Sequence, residues 1–211
     1  PSAGAAPATA HRDKVLSKPE LRAALLTVKD LPKGFKLDKK SGKKSHDATT
    51  SSWRARTDCQ QSLEIDGPKH SPGQLSEAET DFERDLDFSF ESASVDIAAF
   101  RNSASVVKDF AIIEPLIRAC HKLSMEMGDG TKMWFSVQSS MRRINSNRTF
   151  VMSLRGRYMG VLMNLVQATS QVHNYEVTTV LMGVNKSAAS VTKLTRNLLR
   201  AQTVKLEKHL H

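Results

Sequence analysis

The sequence is most informative at first in what it has little of. It holds two cysteines, and they stand 61 positions apart, which excludes the C-x-x-C spacing of a zinc or thiol-redox site. No apolar run approaches the roughly 18 residues of a helical membrane span. Aromatic residues are 6% of the chain, too thin for a base-stacking platform, so no specific nucleic-acid binding is expected. No segment repeats at a fixed period. The seven histidines fall mostly in loops and tails. His121 follows Cys120 directly, but neighbours on a helix diverge by about 100 degrees, which argues against a Cys-His catalytic pair. No enzyme activity, cofactor or metal site is expected on these grounds.

Charge is present in blocks. Residues 1–58 carry a balance of +7, residues 59–100 one of −8, and residues 101–211 one of +10, within a net charge of +9. Such blocks either face each other inside one fold or show a basic surface to an anionic partner. At 39% hydrophobic residues the chain can bury a core.

The first stretch, PSAGAAPATA, is small and proline-punctuated, so residues 1–16 are expected to form a flexible stalk and residues 17–211 a single domain. Ser17 and Glu20 have capping-box spacing, Pro19 suits a first turn, and Leu21, Leu25 and Val28 follow at helical steps. Pro32 and Gly34 end that helix. A short strand is expected near Phe35 to Leu37 and another near Trp53 to Arg56, with Lys39, Lys40, Lys43 and Lys44 between them.

In DLDFSFE, residues 85–91, Leu86, Phe88 and Phe90 alternate with polar residues and predict a strand. The apolar parity then shifts to Ala93, Val95, Ile97 and Ala99, which predicts a bulge or tight turn near Glu91 and Ser92. From Ser103 to Leu123 the period is helical, through Val106, Phe110, Ile113, Ile117 and Cys120, and Pro115 predicts a kink or break. Strands follow at Met133 to Met141, Thr149 to Tyr158, Val161 to Val172 and Tyr175 to Val184. A final helix is capped by Ser187 or Ser190, with a stripe of Val191, Leu194, Leu198 and Ala201. The order predicts an α+β fold: a twisted antiparallel sheet with helices packed on one face.

Three pieces of sequence carry a family likeness: LRAALLTVKDLPKGF, the DC at positions 58 and 59, and VDIAAFRNSASVVKDFAIIEPLIRAC. The chain resembles the secreted lipoproteins of actinobacteria that are similar to the extracellular sensor domain of the mycobacterial Ser/Thr kinase PknH. The resemblance rests on Asp30, Leu31, Pro32, Gly34 and Phe35 at the turn, and on Cys59, Val95, Ile97, Phe100 and Cys120. It implies an extracytoplasmic, lipid-anchored protein, a disulfide between Cys59 and Cys120, and a cleft between sheet and helices. It supplies neither a ligand nor catalytic residues. A bridge closing so long a loop would add about 3 to 4 kcal/mol by restricting the unfolded chain.

Two surfaces are candidates for binding. Met133, Trp134, Tyr158 and Met163 would line a cleft suited to a small or amphipathic ligand or a cell-envelope component. Methionine thioethers can also hold copper(I), but core filling accounts for them. Arg142, Arg143, Arg148, Arg155 and Arg157 would be gathered by a hairpin at one end of the sheet, where they could dock on an anionic polymer or membrane. Asp81, Glu83, Asp85 and Asp87 alternate on a strand and read as a solvated face in preference to a cation site.

Overall fold

A computed structural model describes residues 14–38, 73–126 and 132–211. Its strands form one antiparallel sheet in the order β1-β2-β3-β8-β7-β6-β5-β4. They are β1 (Lys36–Leu37), β2 (Gln74–Leu86), β3 (Ser89–Phe100), β4 (Lys122–Glu126), β5 (Lys132–Ile144), β6 (Asn147–Tyr158), β7 (Val161–Val172) and β8 (Tyr175–Val184). The helices are α1 (Lys18–Ala24), α2 (Ser103–Ala119) and α3 (Ala188–Leu210), with a single 3-10 turn at Val28–Asp30. The expected α+β class and single antiparallel sheet are therefore present. Among the described residues no helix is long and apolar enough to cross a membrane.

The topology explains the long helix. β3 lies inside the sheet while β4 lies at its far edge, five strand spacings away. That gap is roughly 24 Å, and a helix of 17 residues spans about 25 Å. α2 is thus long enough to carry the chain across the sheet. Val106 and Phe110 of α2 pack on Ala98 and Phe100 of β3 and on Phe150 of β6. Residues 103–119 remain one helix through Pro115. From β4 the chain returns as a five-strand meander that closes by pairing β8 with β3.

Alternation divides the sheet into two faces. Ala93, Val95, Ile97 and Ala99 of β3, with Tyr175, Val177 and Leu181 of β8, point toward α1 and α3. α1 and α3 share that face, and α2 lies against the other through Ala98 and Phe100. The parity switch anticipated near residue 91 has a different origin. Leu86 pairs with Ser89 across a two-residue turn at Asp87 and Phe88. Cross-strand partners then sum to an odd number, so the core face passes from even positions such as Phe82 to odd ones such as Ala93. No strand runs through residues 85–91. Phe88 sits at the hairpin tip, 91% exposed, its carbonyl accepting from Asn185 Nδ2 at 2.9 Å. Local alternation made the turn resemble a strand.

The turns of the meander need left-handed backbone. Asn145 and Ser146 have φ of 49° and 65°, and Met159 and Gly160 have 49° and 82°, as two-residue hairpins with primed turns require. The expected hairpin in RINSNRT and the bend at RGRYMG are these two turns. The helix expected to reach Leu123 ends at Ala119, and the next residues form the unanticipated edge strand β4.

The D-L-P-x-G-F segment is a clasp. Asp30 accepts from Thr27 N at 2.8 Å and from Lys205 Nζ at 3.1 Å, joining the 3-10 turn to α3. Burial works against the Asp30 carboxylate, yet these bonds hold it below its ordinary range. Gly34 adopts φ of 101°, and a Cβ there would stand 3.0 Å from Arg84 Cδ. Arg84 lies 4.5 Å over the Phe35 ring, donates to the Lys33 carbonyl and pairs with buried Glu91. Only glycine allows that approach with that backbone.

The α1/α3 face also buries polar groups, and several of them bond backbone. Gln202, fully buried, accepts from Leu26 N at 2.8 Å and donates to the Ala24 carbonyl at 2.7 Å. Lys205 Nζ adds a bond to the Leu25 carbonyl at 2.6 Å. α3 thereby completes the backbone bonding at the end of α1, which α1 cannot supply itself. Tyr175 does the same for the incoming chain, accepting from Leu16 N and donating to the Lys14 carbonyl.

Candidate functional site

On the α2 side of the outer strands the structure assembles a sulfur-rich apolar surface. Met133, Phe135 and Val137 of β5 are buried with Leu154 of β6, Leu123 of β4 and Cys120. Met152, Tyr158, Met163 and Leu165 are only partly buried against them. The register brings Phe135, Gly156 and Met163 into one cross-strand row. A Cβ on Gly156 would lie 2.7 Å from the Trp134 carbonyl and 2.9 Å from Phe135 Cδ1, so glycine leaves room for that ring.

Three of the four residues read as a cleft, Met133, Tyr158 and Met163, therefore lie together. Trp134 does not join them. Successive strand residues point to opposite faces, and Trp134 stands 46% exposed on the α1/α3 side. There Lys122 Nζ lies 4.4 Å over its ring.

The five arginines are likewise divided. Arg143 and Arg148 form a cross-strand pair beside the turn at 145–146, with Arg142 next to them. Arg155 and Arg157 lie toward the turn at 159–160, about 20 Å or more from Arg148 at the rise of a strand. The hairpin does not gather them at one end, because a long hairpin separates its two turns. Arg148 is engaged by Glu114 of α2, which also accepts from Arg118 Nη2 at 2.6 Å. The bond from Arg118, then the charge of Arg148, holds the Glu114 carboxylate below its ordinary range despite some burial. Arg143 donates to the Ser146 carbonyl and Arg157 to that of Gly160.

Arg142 has other company, which the sequence did not reveal. It faces α3, where Arg196 and Arg200 lie close enough to act on one another's charge. Arg196 Nε is out of solvent and has no hydrogen-bond partner. Burial first, then Arg142 and Arg200, lowers the proton affinity of Arg196. Two arginines four apart on a helix are the only sequence trace of this cluster, and that pattern is equally that of a solvated flank.

Acidic residues gather elsewhere. Glu79 and Asp96 are direct cross-strand partners on the α2 side of β2 and β3, with Glu77 one step along. Burial, reinforced by the charges of Glu77 and Glu79, raises Asp96 well above the ordinary carboxylate range. Asp87, one of the four acidic residues read as a strand face, sits in the hairpin turn. Among the described residues no group of three histidine, cysteine, aspartate or glutamate side chains is placed to hold a metal ion. Cys120 is buried at the foot of α2, while Cys59 lies outside the described residues, as do the lysines at 39–44 and the strand expected near Trp53.

No protein-family profile matches the chain, and a search of curated proteins finds no sequence relative. Solved structures do match. A putative uncharacterized protein from Mycobacterium smegmatis, the Rv0999 ortholog, aligns at 15% identity over 83% of this chain and 77% of its own, with a TM-score of 0.40. The extracellular domain of PknH from Mycobacterium tuberculosis aligns at 12% identity over 90% of this chain and 98% of its own, with a TM-score of 0.62. The eight-stranded antiparallel sheet and its helices thus have the fold of the PknH extracellular domain, as the D-L-P-x-G-F and V-x-I-x-x-F pieces led us to expect.

Proposed function

We propose that the chain is a non-catalytic, sensor-type domain that binds an apolar or amphipathic ligand, such as a cell-envelope component, over the methionine-rich surface of β5, β6 and β7. The observation that carries this reading is the row of partly buried Met152, Tyr158, Met163 and Leu165 on a floor of Met133, Phe135 and Leu154. Unbranched, polarisable methionine side chains adapt to an apolar partner at little cost, and partial exposure leaves them available to one. The likeness of the whole fold to a kinase's extracellular domain supports placing the protein outside the cytoplasm, and the sequence resemblance to secreted lipoproteins is what motivates a lipid anchor. In that compartment Cys120 would be bridged to Cys59, tying the crossover helix to the segment before β2.

The test uses methyl-labelled methionine and a neutral long-chain glycoside detergent below its micelle concentration. The methyl signals of Met133, Met152 and Met163 should shift in a saturable way, while Met159, 84% exposed at a hairpin tip, should not. Equal movement of all four, or of none, refutes the site. Mass measured with and without reductant under alkylation tests the bridge: two alkylated thiols in unreduced protein would exclude it.

A further inference from the structure

The opposite face of the same outer strands carries different chemistry. α3 crosses the sheet with its Thr195 carbonyl accepting from Thr179 Oγ1 at 3.3 Å. Thr179 belongs to a cross-strand row that continues through Ala168 and Val151 to Ser140. Arg196, the residue after Thr195, is thus positioned near the outer part of that row. Arg142 is two residues beyond Ser140 on the same face, and Ile144, two further, is buried in the α3 core. Arg142 is exposed, and its Nε donates only to Ser140 Oγ at 3.2 Å. One turn along the helix, Arg200 lines an open cavity of about 610 Å³ with Asn145, Val204, Lys205 and Lys208, and with Asp30, whose carboxylate is paired with Lys205.

Three features of this cluster point to an absent anion. Arg142 and Arg200 both lie within electrostatic reach of Arg196, and among the described residues no carboxylate pairs with any of the three. One of their N–H donors is buried without an acceptor, an arrangement that is costly unless a ligand satisfies it. The polar strand side chains of this face nearest the cluster are Gln138, Ser140, Thr149 and Ser153, which bring no negative charge. Guanidinium forks match tetrahedral oxyanions through paired hydrogen bonds. Three forks offer more donors than the two oxygens of a carboxylate can use, whereas a phosphoryl group presents three oxygens.

We propose that Arg142, Arg196 and Arg200 form a binding site for the phosphoryl group of a phosphate ester, whose remainder extends along α3 over the cavity beside Val204 and Lys208. This site lies on the other side of the sheet from the methionine surface and stands or falls separately from it.

The experiment is calorimetric titration of the full chain with inorganic pyrophosphate, with malonate as the carboxylate control. In parallel, co-sedimentation with phosphatidylglycerol vesicles is compared with phosphatidylcholine. Saturable pyrophosphate binding is expected, weakened roughly tenfold or more by R142Q or R200Q, both of which alter exposed side chains. R155Q, on the same face toward the other turn, should leave affinity within about twofold. Capture by phosphatidylglycerol alone, lost in R142Q, would assign the ester to a lipid headgroup; pyrophosphate binding without capture would assign it to a soluble ester. The proposal is overturned if neither probe binds, if malonate binds as tightly, or if R155Q weakens binding as much as R142Q.

Discussion

The two faces of the sheet are built to different standards. On the α1/α3 face the side chains of Leu21, Phe82, Ile97, Leu199 and Leu206 are fully buried, and Gln202 and Tyr175 have their partners supplied by backbone. On the α2 face of the outer strands Met152, Tyr158, Met163 and Leu165 remain partly exposed, and the acidic pair of Glu79 and Asp96 stands toward the other edge. The first face fixes the fold. The second leaves apolar side chains partly exposed, and the contrast teaches that scaffold and candidate site here are separated by the pleat of a single sheet, not by position in the chain.

The largest test of that contrast is paired truncation. Leu199→Ala on the closed face should cost about 2–5 kcal/mol in urea unfolding. Met163→Ala, on the open face, should cost less than about 1 kcal/mol because less of its side chain leaves water on folding. Equal losses would show both faces to be core. Gln202→Ala should cost about 2–4 kcal/mol, since two backbone groups at the end of α1 lose their partners inside the protein. Hydrogen exchange at the Leu26 amide should accelerate in step, and an unchanged rate would mean that another group had taken over.

Gly34→Ala should cost about 1–3 kcal/mol, through the left-handed backbone and the approach to Arg84, with thermal unfolding as the measurement. Asp96→Asn probes the open face through pH. The folded state raises the Asp96 pKa, so its protonated form is favoured there; the associated stability is present below the unfolded value and is lost as pH rises through the folded one. The substitution should therefore raise the unfolding midpoint more at pH 7 than at pH 4. An equal shift at both would detach the effect from titration. Arg118→Ala should cost about 0.5 kcal/mol or less, because the pair is exposed and Glu114 retains Arg148.

Where structure is set by neighbours in sequence, the chain could be read directly. β7 and β8 occupy Val161–Val172 and Tyr175–Val184 as alternation and turn chemistry predict, and Ser187 caps α3 by accepting from Ser190 N. The capping box at Ser17 and Glu20 is present, and the bonds from Ser17 hold the Glu20 carboxylate below its ordinary range. The expected strand at 85–91 failed because two hairpin arms and their turn share one alternating pattern until the pairing is known. Trp134 was grouped with Met133 by adjacency, and a strand sends adjacent side chains apart. The Arg142, Arg196 and Arg200 cluster could not be foreseen, since it joins positions more than 50 residues apart across a helix and sheet contact.

The sequence by itself determined the class of fold, most of its elements and the turn at D-L-P-x-G-F, because periodicity, caps and turn residues act over a few neighbouring positions. Tertiary structure alone decided which face each side chain meets: it sent α2 across the side opposite α1 and α3, split the arginines between two turns, and brought Arg142 beneath α3. Those outcomes follow from strand register and crossover geometry, which relate residues distant in the chain and which local preferences leave open.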